Sequence, residues 1–120
     1  MAKKILIVDD EEDLLAMMVL RLRSSGYVPL KAASGEEALD ILGKNKPDLI
    51  ILDLLLPNMQ GSEVCKKLKL DPKFKDIPII VFTASITRIT EKTEAMGADD
   101  YILKPFEPSD LIFKIKKFIG

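Results

Sequence analysis

The chain has 120 residues, with 18 Lys and Arg against 19 Asp and Glu and a formal net charge of −1. It exerts no general pull on nucleic acid or an anionic membrane, and any charge argument must be local. At this length it reads as one domain, able to bury roughly two-thirds of its unfolded surface without staples. The single cysteine, Cys65, has no internal partner, and the opening MAKK runs straight into a strand too short for a signal-peptide core or a membrane span, so a reducing, cytoplasmic setting is expected.

Apolar runs alternate with helical patterns along the whole length. The first strand is predicted over Lys4 to Val8, followed by a helix whose apolar positions Leu14, Leu15, Met18, Val19 and Leu22 recur on one face and which Gly26 stops. A weaker strand, Tyr27 to Lys31, leads to a second helix opened by the capping-box pair Ser34 and Glu37, with Ala38, Leu39 and Leu42 inward and Gly43 at its end. Asp48 to Leu52 and Ile77 to Phe82 are continuously apolar, as strands covered on both faces are. Between them Cys65 shares a helical stripe with Val64 and Leu68, which predicts packing and not redox chemistry. Lys66, Lys67 and Lys69 read as a solvated basic face, and "DPKFKD" (71–76) as a solvated loop. A short strand, Tyr101 to Leu103, precedes a last helix with Leu111, Ile112, Ile115, Phe118 and Ile119 on one side and Lys114, Lys116 and Lys117 on the other. The phenylalanines and methionines are read as mostly core, with Phe106 assigned to a working surface.

This alternation predicts an α/β fold, a doubly wound parallel sheet with helices on both sides, and ligands bind such sheets outside the carboxyl ends of the strands. The residues just past each strand are Asp9 and Asp10, then Asp53, Thr83, and Lys104 followed by Pro105. Each has a bland alternative. Asp9 or Asp10 caps the first helix, Asp53 opens a turn toward Pro57, Thr83 caps a helix, and Lys104 is solvated. Their joint placement on one rim is harder to obtain by accident. The stretch "ILIVDDEED" drives a buried strand into five carboxylates, and acids gathered at low dielectric require a cation or protons. Oxygen ligands with an open side suit Mg²⁺, and with an ammonium and a hydroxyl nearby they make a site for a phosphoryl group that an aspartate can itself accept.

"ILIVDDEED", "DLIILDLLLPNMQG", "VFTAS" and "GADDYILKPF" together resemble, in order, the signature stretches of the CheY-like receiver domain of two-component response regulators. The resemblance covers essentially the whole chain and identifies residues 1–120 as a single receiver domain. It implies a flavodoxin-like five-stranded sheet in the order 2-1-3-4-5, for which this family is itself a standard example. It also implies Mg²⁺-dependent transfer of a phosphoryl group to Asp53 from the phosphohistidine of a sensor histidine kinase or phosphotransfer protein. A signalling role follows, with catalysis confined to the domain's own phosphorylation and dephosphorylation. By resemblance Asp10 ligates Mg²⁺ directly, Asp9 acts mainly through a coordinated water, and Asp53 and the Leu55 backbone carbonyl complete the set. Thr83 and Lys104 contact the phosphoryl oxygens, Thr83 and Tyr101 form the switch, the Lys104-Pro105 peptide is cis, Met59 and Gly61 shape the turn after the acceptor, and Ala84 leaves room for the phosphoryl group. The output is expected on the surface of the fourth helix, fifth strand and fifth helix, toward a downstream protein target or fused output domain, with no direct nucleic-acid or membrane binding. On that surface Asp99, Asp100, Asp110, Lys114 and Lys116 are candidates for paired charges in a phosphorylation-linked dimer of an otherwise monomeric protein, although Phe113 and the lysines match imperfectly.

Leu55 and Ser85 occupy positions that in this family tune the loss of the phosphoryl group to water, and neither can activate a water as a carboxylate does. Two rival classes fit less well. A haloacid-dehalogenase-like phosphatase wants a second acid where Leu55 stands, and in a flavodoxin-like flavin carrier "DDEED" would repel the phosphate. A receiver reduced to a docking module conflicts with the intact acceptor and its neighbours. The sequence stops one residue after the last predicted helix, which is expected of either a stand-alone regulator or a receiver excised from a longer protein.

Overall fold

The computed structural model describes residues 2–84 and 89–120, so Ser85 lies outside the described residues. Among the described residues ten elements alternate: β1 (Lys4–Val8), α1 (Glu12–Ser24), β2 (Val28–Ala32), α2 (Gly35–Leu42), β3 (Leu49–Asp53), α3 (Gly61–Leu70), β4 (Ile79–Thr83), α4 (Ile89–Met96), β5 (Asp100–Leu103) and α5 (Pro108–Ile119). The five strands are all parallel in the order β2-β1-β3-β4-β5, as the resemblance implied. The order reverses between β1 and β3. That switch point opens a crevice at the carboxyl edge.

The pleat divides the core in two. Leu6, Val8, Ile50, Leu52, Ile79 and Val81 face α2, α3 and α4 through Ala38, Leu42, Val64, Cys65, Leu68 and Met96. Their neighbours Ile5, Ile7, Leu49, Ile51, Ile80, Phe82 and Ile102 face α1 and α5 through Leu15, Met18, Leu22, Leu111 and Ile115. Strands buried on both faces read as unbroken apolar runs, which is why β1, β3 and β4 stand out in the sequence.

Local signals set the helix ends. Gly26, at φ +89°, closes α1: its N–H donates to the Arg23 carbonyl and the Tyr27 N–H to the Leu22 carbonyl, a Schellman ending. Tyr27 is thereby drawn into the helix terminus, so β2 begins at Val28, one residue later than predicted. Ser34 Oγ accepts the Glu37 N–H at 3.1 Å, confirming the cap of α2. The Glu37 carboxylate accepts from Ala33 at 3.3 Å.

Two expectations are corrected. Lys69 is not simply solvated, because its ammonium contacts Asp99 at 2.8 Å and donates to the carbonyls of Lys75 and Ile77, while Asp99 also accepts the Ile79 N–H. The 71–76 stretch is not all solvated loop, since Phe74 is buried in the core. Phe113, outside the apolar side read for the last helix, is 72% exposed on α5. Cys65 packs as expected, fully buried with its thiol toward the Met96 carbonyl, and burial pushes that thiol up to about 11. Among the described residues, no helix is long and apolar enough to cross a membrane.

Candidate functional site

Strand parity brings the site together. The pleat that points Ile5 and Ile7 toward α1 carries on to Asp9, and in the same way Ile51 leads to Asp53 and Ile102 to Lys104. Asp53 is the last residue of β3, one further than predicted, because it remains in register with Phe82 of β4. Thr83 likewise ends β4, paired with Leu103. The acids are deeply placed: Asp9 is fully buried, Asp53 is 4% exposed and Thr83 is 2% exposed, whereas Asp10 lies exposed at the mouth.

The five-carboxylate run is answered first by a residue of the chain itself. Lys104 Nζ donates to Asp9 Oδ2 at 3.0 Å and to Asp53 Oδ2 at 3.2 Å, with Glu11 Oε1 at 3.7 Å. The ammonium also lies 4.5 Å from the centre of the Phe82 ring. The solvated alternative for Lys104 is thus excluded. Burial disfavours its charge, but the Asp9 hydrogen bond and the charges of Asp53 and Asp9 outweigh that, and its pKa is raised. For Asp53 burial wins, lifting the carboxyl above its ordinary range. The Leu55 N–H and Lys104 pull it back only in part, and the Asp9 charge pushes it further up.

Of the bland alternatives, the turn after Asp53 holds beside this pairing, whereas neither Asp9 nor Asp10 caps α1, whose N-cap is Glu11 with no side-chain cap hydrogen bond. Asp9 Oδ1 accepts the N–H of Glu11, the residue that opens α1, at 2.7 Å. Asp53 Oδ1 accepts the Leu55 N–H at 3.1 Å, turning the chain toward Pro57. Each buried acid therefore spends one oxygen on its own loop and the other on Lys104. One ligand oxygen each from Asp9, Asp10 and Asp53 lies within 4.8 Å of the others, an all-carboxylate donor set with one exposed member that fits a hard cation such as Mg²⁺.

The loop after Asp53 is shaped by two residues. Asn58 adopts φ +65°, and Gly61 opens α3 so close to β3 that a Cβ there would strike the Asp53 carbonyl oxygen and Leu54 Cα. Met59 is half-buried beside Gly35. The Lys104-Pro105 peptide is cis. Ala84 is exposed beside the acids and, with Leu14, Met17, Pro105 and Phe106, lines a cavity of about 450 Å³ that reaches Lys104. Glu11, as a third acid on Lys104, was not anticipated from the sequence; only its place two residues past Asp9 hinted at it.

Tyr101 is half-buried on β5, with Lys114 Nζ 5.9 Å from its ring centre. Of the charges read as a two-fold set, Asp100 pairs with Lys114 within the chain at 3.0 Å and Asp99 with Lys69, while Asp110 and Lys116 are exposed. A cavity of about 640 Å³ runs along β5 and α5 past Tyr101, Phe106 and Phe113.

Comparison with known proteins shows the family. The family model described as the response regulator receiver domain matches residues 5–116. The chain is 41% identical over 120 residues to the alkaline phosphatase synthesis transcriptional regulatory protein PhoP of Bacillus subtilis, covering 99% of this chain and 49% of that protein. It spans about half the length of the curated relatives it matches. The chemotaxis response regulator CheY4 of Vibrio cholerae superposes with a TM-score of 0.93 at 31% identity, covering 99% of this chain and all of that one. The receiver domain of the sensor histidine kinase PA1611 of Pseudomonas aeruginosa, which has a magnesium ion coordinated in its active site cleft, superposes with a TM-score of 0.91 at 27% identity, covering 100% of this chain and 99% of that one.

Proposed function

This chain belongs to the response regulator receiver domain family, and from that membership we propose that it accepts a phosphoryl group on Asp53 from the phosphohistidine of a sensor histidine kinase or phosphotransfer protein, in a Mg²⁺-dependent reaction. One observation carries the assignment. Asp53 is the buried acid that ends a central strand and shares its Oδ2 partner, the Lys104 ammonium, with Asp9. Asp9, Asp10, Asp53 and the Leu55 carbonyl would hold Mg²⁺, whose charge offsets the oxygens of an incoming phosphoryl group.

In the transfer an Asp53 carboxylate oxygen forms the new bond to phosphorus as the bond from phosphorus to the imidazole nitrogen breaks, leaving neutral histidine on the donor and an acyl phosphate here. The cavity bordered by Leu14, Met17, Pro105 and Phe106 gives the donor a path to Lys104 and the acids. Lys104 exchanges a carboxylate oxygen for a phosphoryl oxygen at little reorganisation cost, because its ammonium already lies against Asp53. Thr83, at the adjoining strand end, supplies a hydroxyl donor, and Ala84 leaves space. Tyr101 on β5 follows Thr83, which carries the change to the α4-β5-α5 surface and so to a protein target or an attached output domain. The likeness to PhoP, a transcriptional regulator about twice as long, supports such an output.

The test is labelling with acetyl phosphate or a phosphorylated kinase, read by intact mass. We expect one phosphoryl group, absent when Mg²⁺ is chelated before the donor is added and absent in Asp53→Asn. Label retained in that variant places the nucleophile elsewhere.

A further inference from the structure

A second groove lies beside the acceptor loop, on the side away from Lys104. Leu54, Leu55, Ala95 and Met96 give it apolar walls, Gln60 and Ser62 give it polar contacts, and Lys66 of α3 and Lys92 of α4 stand on its rim, around a volume of about 310 Å³. Two features meet in it. Leu55 is 65% exposed, a large aliphatic group left in water immediately past a buried strand. Lys66 and Lys92 are both exposed and, among the described residues, have no ion pair or hydrogen bond, whereas Lys69, Lys104 and Lys114 are all paired within the chain. Among the described residues, no carboxylate lines the groove.

We propose that this α3–α4 groove docks an acidic amphipathic segment of a partner protein, with an aliphatic side chain seated against Leu55 and Ala95 and carboxylates on Lys66 and Lys92. The occupant follows from complementarity. The unpaired rim cations select an anionic partner, and the exposed leucine and apolar walls require that partner to bring an aliphatic group. Two cations around an apolar floor suit a nucleic-acid backbone poorly, since a phosphate chain needs more cations and gives Leu55 nothing to contact. One leucine with two lysines is also too little surface for stable seating on a membrane. The groove is formed without a phosphoryl group, so the proposal does not depend on transfer to Asp53.

The experiment titrates unphosphorylated ¹⁵N-labelled protein with a synthetic peptide of about a dozen residues bearing leucines on one helical face flanked by glutamates. The same peptide with lysines in place of the glutamates serves as control. Shifts should gather on Leu54, Leu55, Gln60, Ser62, Lys66, Lys92 and Ala95, and binding should weaken as salt rises. Lys66→Glu with Lys92→Glu should raise Kd by roughly tenfold or more, and Leu55→Ser should weaken binding without abolishing the charge preference. Both lysines are exposed, so the double variant keeps its fold, which its dispersed spectrum verifies. Shifts centred elsewhere, equal affinity for the lysine peptide, or stronger shifts at these residues from duplex DNA or phosphatidylglycerol vesicles would overturn the proposal. So would concentration-dependent shifts there without peptide, which would assign the groove to a second copy of the chain.

Discussion

Replacing Lys104 by Met tests whether this ammonium is the internal counter-ion of the buried acids. The Lys104 side chain is 14% exposed, with Asp9 Oδ2 at 3.0 Å and Asp53 Oδ2 at 3.2 Å, and those two carboxylate side chains are 0% and 6% exposed. At an effective dielectric of about 20, each contact is a gross attraction of about 5 kcal/mol, most of which desolvation consumes. Removing the cation alone strands two buried anions, which costs about 3 kcal/mol at neutral pH. For a chain of this size that lowers Tm by roughly 10 °C. Because the Lys104 pKa is raised above 10.5, its stabilisation is complete below that pH and is lost as pH climbs through the folded value, so wild type and Lys104→Met should converge in strong alkali. They should also converge in acid, as Asp53 takes up a proton. Saturating Mg²⁺ should restore the variant more than it stabilises wild type, since in the variant the metal meets buried acids that no cation of the chain already offsets. The assay is urea unfolding by circular dichroism, with and without Mg²⁺, across pH. Equal gains from Mg²⁺ in the two proteins, or a variant as stable as wild type in metal-free buffer at pH 7, would refute the counter-ion argument.

Asp53→Asn should stabilise the metal-free fold by about 1 kcal/mol at neutral pH, the usual gain when a functional strain is removed. Because the Asp53 pKa is raised, its penalty is absent below the unfolded value of 3.8 and grows as pH rises through the folded one, so the advantage in urea midpoint should vanish in acid. Gly61→Ala should cost about 2 kcal/mol, because its Cβ meets the Asp53 carbonyl and Leu54 Cα; unfolding midpoints measure the loss, and Mg²⁺ titration should show a displaced acceptor. Thr83→Ala and Tyr101→Ala should still accept beryllofluoride at Asp53 but lose most of the resulting backbone NMR shifts along β5 and α5; wild-type-sized shifts in both would rule out that relay.

What was legible in the sequence follows from how each feature is encoded. The three central strands declared themselves because burial on both faces confines their polar residues to the ends, at Lys4, Asp53 and Thr83, and the α2 cap because Ser34 and Glu37 act within a single turn. Strand ends shifted by a residue where hydrogen bonding outlasted apolarity, as at Asp53, or began late, as at Tyr27. The Lys69–Asp99 pair was hidden because its partners are 30 positions apart and meet only when the end of α3 packs beside the turn into β5. Tyr27 makes the same point. Its hydroxyl is buried without a partner among the described residues, a feature no local pattern announces.

The candidate site was legible as a set of residue types on one rim, but not as a bonded arrangement. Parity supplies what was missing. Asp9, Asp53 and Lys104 continue the alternation of Ile7, Ile51 and Ile102 and so converge on the α1–α5 side of the sheet, whereas Thr83 follows the opposite alternation of Val81. Sliding β5 by one residue would carry Lys104 to the other face and leave Asp9 and Asp53 with no cation of the chain. The register Val81 with Tyr101, Phe82 with Ile102 and Thr83 with Leu103 therefore does two things at once. It buries Ile102 against α5, and it delivers the next residue of that face onto the acids. Core packing thus fixes the electrostatics of the site, because the register that seats Ile102 also holds Lys104 against Asp9 and Asp53.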